Sequence, residues 1–121
     1  MKKGIKIVKC NPYDRTQFSE LEDAYSKLFN DNDNLSFLSL SNLPFDSNTI
    51  TSFLKNSYAE EVEYYKAISS DNKIIGISSF ESDLVKGFQL IGIVVDTDYR
   101  HEGIGRALIN KGIEVALEKG F

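Results

Sequence analysis

The sequence has one cysteine, Cys10, and one histidine, His101, among its 121 residues. A single cysteine cannot form an intrachain disulfide, so the chain is unlike a disulfide-rich extracellular scaffold and suits a reducing cytoplasm. Zinc sites usually need about three or four cysteine, histidine or carboxylate ligands, and we expect no metal here. Free cysteine is often buried as a small hydrophobic residue, so Cys10 is predicted to lie in the core or at a strand end rather than to act as a nucleophile.

Long apolar runs and an excess of basic charge are also lacking. No run approaches the roughly 20 residues of a membrane span, and lysines interrupt the segment after Met1 where a signal peptide would lie. Residues 1–60 hold seven basic and eight acidic side chains, and residues 61–121 hold seven and ten. Neither half offers a basic surface for nucleic acid. We therefore expect a cytoplasmic protein with no membrane or nucleic-acid partner.

The composition is that of one ordinary globular domain. Hydrophobic residues make up 41% of the chain and aromatic residues 12%, which is enough to bury a single modest core. We find no internal repeat and no linker rich in proline, glycine or serine. Residues 1–121 are therefore predicted to form a single domain.

Hydrophobic periodicity predicts the order of the first elements. A strand at residues 5–10 precedes a helix that Asp14 caps and that continues to Phe29. Asp46 or Ser47 can cap a second helix that extends to about Tyr58. Residues 35–46 fit either a loop or a short helical turn, and both interpretations stay open.

Three strands and a helix are predicted in the second half. Strands at residues 64–69 and 74–80 flank a turn short enough for a hairpin. The next strand, residues 88–95, alternates so that Phe88, Leu90 and Val94 would share one face, with Ile91, Ile93 and Val95 on the other. A strand that is apolar on both faces is typical of the inside of a sheet covered by helices. The order is strand, two helices, three strands, helix, an α/β arrangement.

The segment after Val95 predicts an anion site. Gly103 and Gly105 stand two apart where the last helix begins, and they leave backbone N–H groups uncovered by side chains. The first turn of a helix has donors without intrahelical partners, and the helix dipole adds partial positive charge there. Arg100 and Arg106 bracket the turn and can add cationic contacts. A phosphate or pyrophosphate fits such a helix start.

Two common glycine-rich phosphate motifs do not fit this segment. A Walker A loop needs Gly-Lys followed by Ser or Thr, which the chain lacks. A dinucleotide fingerprint needs Gly or Ala where Leu108 stands, and its first glycine should directly follow the strand, whereas residues 96–102 intervene. A glycine helix start used only for capping and close packing is the structural alternative.

A third pattern fits, and it carries a resemblance to a family. The run Ile93-x-Val95-x-x-x-Tyr99-Arg100-x-x-Gly103-Ile104-Gly105-x-x-Leu108-Ile109 resembles motif A of the GNAT acetyltransferases, Gln/Arg-x-x-Gly-x-Gly/Ala after a central strand. Residues 88–121 match closely, with motif A at 88–117. Thr97 stands where proline is common in the family, a departure that should leave backbone phosphate binding intact.

The resemblance implies a fold for residues 1–121. We expect a GNAT-like α/β domain with a mixed, mainly antiparallel sheet, helices on both faces and the order β-α-α-β-β-β-α. The family usually continues with a strand, a helix and a further strand, which would lie beyond Phe121. The chain is therefore expected to be a partial acyl-CoA N-acyltransferase domain. Either the chain is truncated, or it forms a homo-oligomer in which a neighbouring subunit completes the sheet edge.

The resemblance also implies that acetyl-CoA is a co-substrate. In the family the fourth strand pairs with the pantetheine arm through its backbone, which corresponds here to Ile93, Val94 and Val95. Loop amides bind the pyrophosphate, and the residues implied are Arg100, His101, Glu102, Gly103, Ile104, Gly105 and Arg106. An amine attacks the thioester directly, and a backbone N–H at a bulge polarises the carbonyl. Gly92 and Ile93 lie where such a bulge is expected.

A proton acceptor is harder to assign. The family often carries a carboxylate on the fourth strand as general base, but Gln89 stands at that place and cannot accept a proton. Glu81 is the catalytic candidate among the nearest carboxylates, Glu81 and Asp83, although it can equally be a plain acid beside a turn. The predicted function is acetyl transfer to a small-molecule or peptide amine. A non-catalytic acyl-CoA-binding or regulatory module is the alternative.

Overall fold

The computed structural model describes residues 4–11, 13–29, 61–83, 85, 87–99 and 102–121. These residues form four strands, two α-helices and one short 3-10 turn, with bounds β1 Lys6–Cys10, α1 Arg15–Phe29, β2 Glu61–Ile68, β3 Ile74–Asp83, β4 Gly87–Val95, the turn Thr97–Tyr99, and α2 Ile104–Glu118. The predicted α/β order is confirmed for them. The predicted second helix and the undecided segment at residues 35–46 lie outside the described residues.

Helix α1 begins at the predicted cap. The Asp14 Oδ1 atom accepts a hydrogen bond from the Gln17 amide at 3.1 Å, and the Gln17 side chain accepts one from the Asn11 amide at 2.8 Å. The first bond satisfies an amide of the first helical turn, and the second ties the preceding loop to the helix start. The apolar face of α1 then buries Leu21, Tyr25 and Leu28 against the sheet.

The four strands form one antiparallel sheet in the order β1-β2-β3-β4. The β2–β3 hairpin closes through a bond from the Ser69 amide to the Lys73 carbonyl at 2.9 Å, with Asn72 at a positive φ of 68°. Each face of the sheet has its own core. Helix α1 covers the first face, around Tyr64, Ile77 and Val94, and α2 covers the second.

Helix α2 buries Ile104, Leu108, Gly112 and Val115 against the second face. It ends at Glu118, and Gly120 follows the C-cap as predicted, with a φ of 88°. Two amides return to the last turn: Gly120 N–H donates to the Leu117 carbonyl at 3.1 Å, and Phe121 N–H donates to the Ala116 carbonyl at 2.9 Å. The predicted covering of both sheet faces by helices is confirmed.

Strand β4 contains an irregularity that changes two expectations. Among the described residues it pairs with β3, and its predicted place inside the sheet stays a prediction. The register shifts between the pairs Ser79–Gly92 and Phe80–Leu90, which leaves Ile91 as an extra residue in a β-bulge. The bulge was expected at Gly92 and Ile93, and it lies directly before them.

The bulge also changes which side chains share a face. Because one extra residue reverses the alternation, Phe88 packs in the second core with Ile93 and Val95, whereas Val94 packs in the first core. The expectation that Phe88 and Val94 share a face was therefore wrong. Side chains alternate between the two faces of a strand, and this alternation is broken at an unpaired bulge residue.

Gly112 sets how closely α2 approaches the sheet. A Cβ added there would lie 2.2 Å from the Phe80 ring, and Phe80 is buried. We expect Gly112→Ala to lower the free energy of unfolding by about 1–3 kcal/mol, because the ring or the helix must shift. Urea denaturation followed by circular dichroism measures this.

Gly105→Ala is the matched control in the same helix. Its Cβ would meet its nearest neighbours at 3.9 Å, an ordinary contact. Its stability should be unchanged or slightly higher, since alanine favours helix more than glycine by about 0.5–1 kcal/mol in a helix interior. Equal losses in the two variants would contradict this account of the packing.

Candidate functional site

The loop after β4 is organised by Asp96. The Asp96 amide donates to the Ile75 carbonyl at 2.8 Å, and the Asp96 carbonyl accepts from the Tyr99 amide at 2.9 Å. Its carboxylate accepts from the Asp98 amide at 2.9 Å and lies 3.8 Å from the Lys73 ammonium. Asp96 is only 6% exposed. Sequence reasoning missed this residue, although an aspartate that directly follows a strand is a recognised turn former.

Helix α2 starts with a glycine cap. Gly103 has φ 81° and ψ 11°, a left-handed conformation that favours glycine, and no side chain caps the helix there. The Gly103 carbonyl accepts the Ala107 amide at 3.0 Å, the first bond of the helix. The amides of Ile104, Gly105 and Arg106 precede that bond, so their own helix offers them no acceptor. Together with the helix dipole, they form a place for an anion.

Close packing fixes this helix start in position. Ile104 and Leu108 are 1% and 0% exposed, and both approach Gly76 of β3, where an added Cβ would meet each of them at 3.2 Å. Gly76 therefore lets the first turn of α2 sit directly on the sheet. Sequence reasoning assigned Gly76 no role, because only the packed structure shows what its missing side chain makes room for.

The helix start lies over the C-terminal half of β4. A Cβ on Gly105 would lie 3.9 Å from both Ile93 and Val95. The side chains of Ile93 and Val95 pack toward α2, and that of Val94 is buried on the face of α1. A ligand running along this half of β4 would therefore meet its backbone rather than its side chains. The structure thus brings the two predicted binding segments together.

The charged residues of the predicted loop are described only in part. Arg106 is exposed and Glu102 is half-buried. Arg100 and His101 lie outside the described residues. Their contact with a ligand, like that of the other predicted binding residues, stays a prediction.

Glu81 lies farther along the sheet. It pairs with Gln89 of β4, in the same sheet but on the other side of the bulge from Gly92. Strand alternation places Glu81 on the same face as Ser79, whose Cα partner is Gly92. The Glu81 side chain is half-buried. Strand β4 spans about 20 Å from Gln89 to Val95. Glu81 lies beside the Gln89 end of β4, and the anion site lies beside the Val95 end.

Cys10 has the predicted place at the end of β1. It is 2% exposed, and burial raises the pKa of its thiol to about 11, although the nearby Lys66 lowers it in part. The thiol is therefore protonated near neutral pH. Since the thiolate is the reactive form, Cys10 has the properties of a structural residue rather than a nucleophile.

Membrane spans and metal clusters are both missing from the part of the chain that the structure describes. No helix there is long and apolar enough to cross a membrane. No group of three or more histidine, cysteine, aspartate or glutamate side chains among those residues could hold a metal ion.

Comparison of the chain with protein-family models gave a match to one family. The model of the acetyltransferase (GNAT) family matches residues 19–121, which include most of α1, the whole sheet except β1, and α2. A search of curated proteins gave no significant match.

Solved structures with a similar backbone include three acetyltransferases. A GNAT-family enzyme from Staphylococcus aureus Mu50 is 21% identical with a TM-score of 0.66, and the match covers 95% of this chain and 68% of that one. The ribosomal-protein-S18-alanine N-acetyltransferase from Escherichia coli is 17% identical with a TM-score of 0.63, covering 96% and 61%. An aminoglycoside 6'-N-acetyltransferase complexed with coenzyme A is 15% identical with a TM-score of 0.65, covering 95% and 57%.

At sequence identities of 15–21%, the similarity shows that this chain shares the fold of these structures. The chain spans from 57% to 68% of the length of the three structures. All three contain nearly the whole of this chain's backbone arrangement, including its sheet.

Proposed function

Because this chain belongs to the GNAT acetyltransferase family, we propose that it binds acetyl-CoA and transfers the acetyl group to an amine. One observation carries the proposal: the glycine-capped start of α2 lies against the C-terminal half of β4. This arrangement offers an anion site and a strand backbone side by side. A cofactor with a pyrophosphate joined to an amide-containing arm needs both.

The amides of Ile104, Gly105 and Arg106 would bind the pyrophosphate. They point out of a helix start where the dipole favours negative charge, and no side chain at Gly103 competes for them. Arg106 is exposed beside them and can add a charge-assisted contact. A structure of a relative in fold, the aminoglycoside 6'-N-acetyltransferase, was solved with coenzyme A, which supports the choice of cofactor.

The pantetheine arm would extend from the loop along β4 toward the bulge. Amide groups of the arm can bond to strand backbone as a neighbouring strand would. At Ile91 the ladder between β3 and β4 is interrupted, and a bulge turns backbone groups away from their usual partners. A backbone N–H turned outward here would polarise the thioester carbonyl as negative charge develops on its oxygen.

The proposed reaction is a direct acyl transfer. The lone pair of the amine forms a bond to the carbonyl carbon of the thioester, and the carbon–sulfur bond then breaks. The amine loses one proton, and the coenzyme A thiolate takes one up. The protein contributes mainly by holding the two reactants in line, a form of catalysis that requires little covalent chemistry from its side chains.

Glu81 is the proposed proton acceptor, acting directly or through water. It shares a sheet face with Ser79 and lies beyond the bulge from Gly92, so its carboxylate is near the place proposed for the thioester. We expect Glu81→Gln to lower kcat/KM for the amine by about 10²–10⁴-fold, because the amide cannot accept a proton. The affinity for acetyl-CoA should be unchanged. Release of free thiol with a panel of amines, measured against pH, tests this.

Glu118→Gln is the matched control for Glu81→Gln. Glu118 is an exposed carboxylate at the end of α2, far along that helix from its glycine cap. This variant should retain the rate and pH profile of the unsubstituted chain. An unchanged rate in Glu81→Gln would remove Glu81 from the mechanism.

Cofactor binding is tested at Gly105. A valine there would fill the space between the first turn of α2 and the side chains of Ile93 and Val95. We expect Gly105→Val to weaken acetyl-CoA binding by at least about tenfold, which is about 1.4 kcal/mol, with the fold retained. Isothermal titration calorimetry with acetyl-CoA measures the affinity, and circular dichroism measures the fold.

Asn110→Val introduces the same β-branched side chain at an exposed position of the same helix. Asparagine and valine have similar helix propensities, and residue 110 lies away from the loop, so acetyl-CoA affinity should not change. Equal affinity in the unsubstituted chain and Gly105→Val would refute the proposed site. No binding by the unsubstituted chain would refute the proposed cofactor.

A non-catalytic acyl-CoA-binding module is the second candidate. It is favoured by Gln89, which stands on β4 directly opposite Glu81 and cannot act as a base. Such a module would bind acetyl-CoA but release no thiol with any amine. The same two measurements therefore separate an enzyme from a binding module.

A further inference from the structure

We propose that Ser79 is a positioning residue for the acetyl transfer: its hydroxyl holds a water molecule that carries the proton of the amine to Glu81. This role rests on the proposed function and adds to it a residue of β3 beside the bulge of β4. Three features of Ser79 support it, namely its burial, the missing side chain opposite it on β4, and its spacing from Glu81.

The Ser79 hydroxyl is buried and incompletely paired. Ser79 is 1% exposed, and its Oγ atom forms no hydrogen bond with the part of the chain that the structure describes. The Tyr25 phenol lies near it: burial raises the pKa of that phenol, and the Ser79 hydroxyl lowers it in part. A hydroxyl has one donor and two acceptor positions, so turning its hydrogen toward Tyr25 still leaves Oγ able to accept. Buried polar groups of this kind commonly bond to an ordered water.

Gly92 leaves one flank of this hydroxyl uncovered. Ser79 is paired with Gly92 in the ladder between β3 and β4. A Cβ added to Gly92 would lie 3.4 Å from the Ser79 Oγ atom, and apart from the residues next to Gly92 in sequence no other described residue would lie within 4 Å of it. Where another residue would place a side chain against the hydroxyl, glycine therefore leaves space for a molecule as small as water.

Glu81 lies within reach of that space. It is two residues from Ser79 on the same strand and the same sheet face, and its side chain is half-buried. Positions two apart on a strand are separated by about 7 Å. A water bonded to two oxygen atoms spans about 5.6 Å between them. One water can therefore join the Ser79 hydroxyl to the Glu81 carboxylate.

The place of this water fits the proposed reaction. The thioester carbonyl is proposed to lie at the bulge residue Ile91, directly before Gly92. As the carbon–nitrogen bond forms, the water takes one proton from the amine nitrogen and gives one of its own protons to the Glu81 carboxylate, so the water is regenerated. It donates its remaining hydrogen to the Ser79 Oγ atom, which fixes its orientation. Ser79 itself gains and loses no proton.

The test is a double-mutant cycle between Ser79→Ala and Glu81→Gln, measured as the release of free thiol from acetyl-CoA with the amine that the unsubstituted chain acetylates fastest. We expect Ser79→Ala to lower kcat about tenfold or more, because the water loses its orientation. In the Glu81→Gln background the same substitution should change kcat by less than about twofold, since the water then has no base to serve. A merely structural loss would appear in both backgrounds. Isothermal titration calorimetry should show unchanged affinity for acetyl-CoA.

Ser78→Ala is the matched control. Ser78 is 0% exposed, and its hydroxyl also lacks a hydrogen bond to the described residues, but it is adjacent to Ser79 in the strand and so faces α2, away from Glu81. Ser78→Ala should keep the kcat of the unsubstituted chain.

Four results would overturn the role of Ser79 and leave acetyl transfer standing: an unchanged kcat in Ser79→Ala, an equal loss in Ser78→Ala, a tenfold loss from Ser79→Ala that persists beside Glu81→Gln, or an unchanged rate in Glu81→Gln alone. Absence of thiol release by the unsubstituted chain with every amine would refute the proposed function together with this role.

Discussion

The first turn of α2 contains three amides that their own helix cannot satisfy, and much of the described structure serves to place them. Gly103 ends the loop in a left-handed conformation and brings no side chain to cap them. Ile104 and Leu108 anchor the same turn in the second core, and Gly76 makes room for both. Asp96 fixes the other end of the loop through its backbone and its carboxylate. The packed scaffold therefore holds amides without an intrahelical acceptor in a fixed direction, and donors fixed in advance need little reorganisation to bind an anion.

The bulge at Ile91 gives β4 two halves with different surroundings. The half after the bulge runs under the start of α2, and we propose that it binds the cofactor arm. The half before it lies beside the C-terminal part of α2, where Phe88 contacts Phe121 and Phe80 approaches Gly112. One extra residue also turns Phe88 toward the core that contains Ile93 and Val95. A local interruption of pairing thus shapes both the interior and the surface of the same strand.

Features determined by neighbouring residues were predicted well from the sequence. The Asp14 cap, the 69–73 hairpin and Gly120 depend on contacts within a few residues, and the glycine helix start was recognised from its spacing. Features that depend on residues distant in the sequence were not predicted. The face of Phe88 depends on register with β3, the role of Gly76 depends on a helix about thirty residues later, and Asp96 bonds to Ile75 across the sheet. Periodicity within one segment carries no information on such contacts.

The central claim is that the amides of Ile104, Gly105 and Arg106 themselves bind the pyrophosphate of acetyl-CoA. Titration of ¹⁵N-labelled protein with coenzyme A, followed by amide NMR shifts, addresses these atoms individually. The account predicts that the amide resonances of these three residues shift most, in the direction of a stronger hydrogen bond. The amide resonances of Ile93 and Val95 should shift with the same saturation curve. Saturable binding that leaves the three amides unmoved while other regions shift would contradict it.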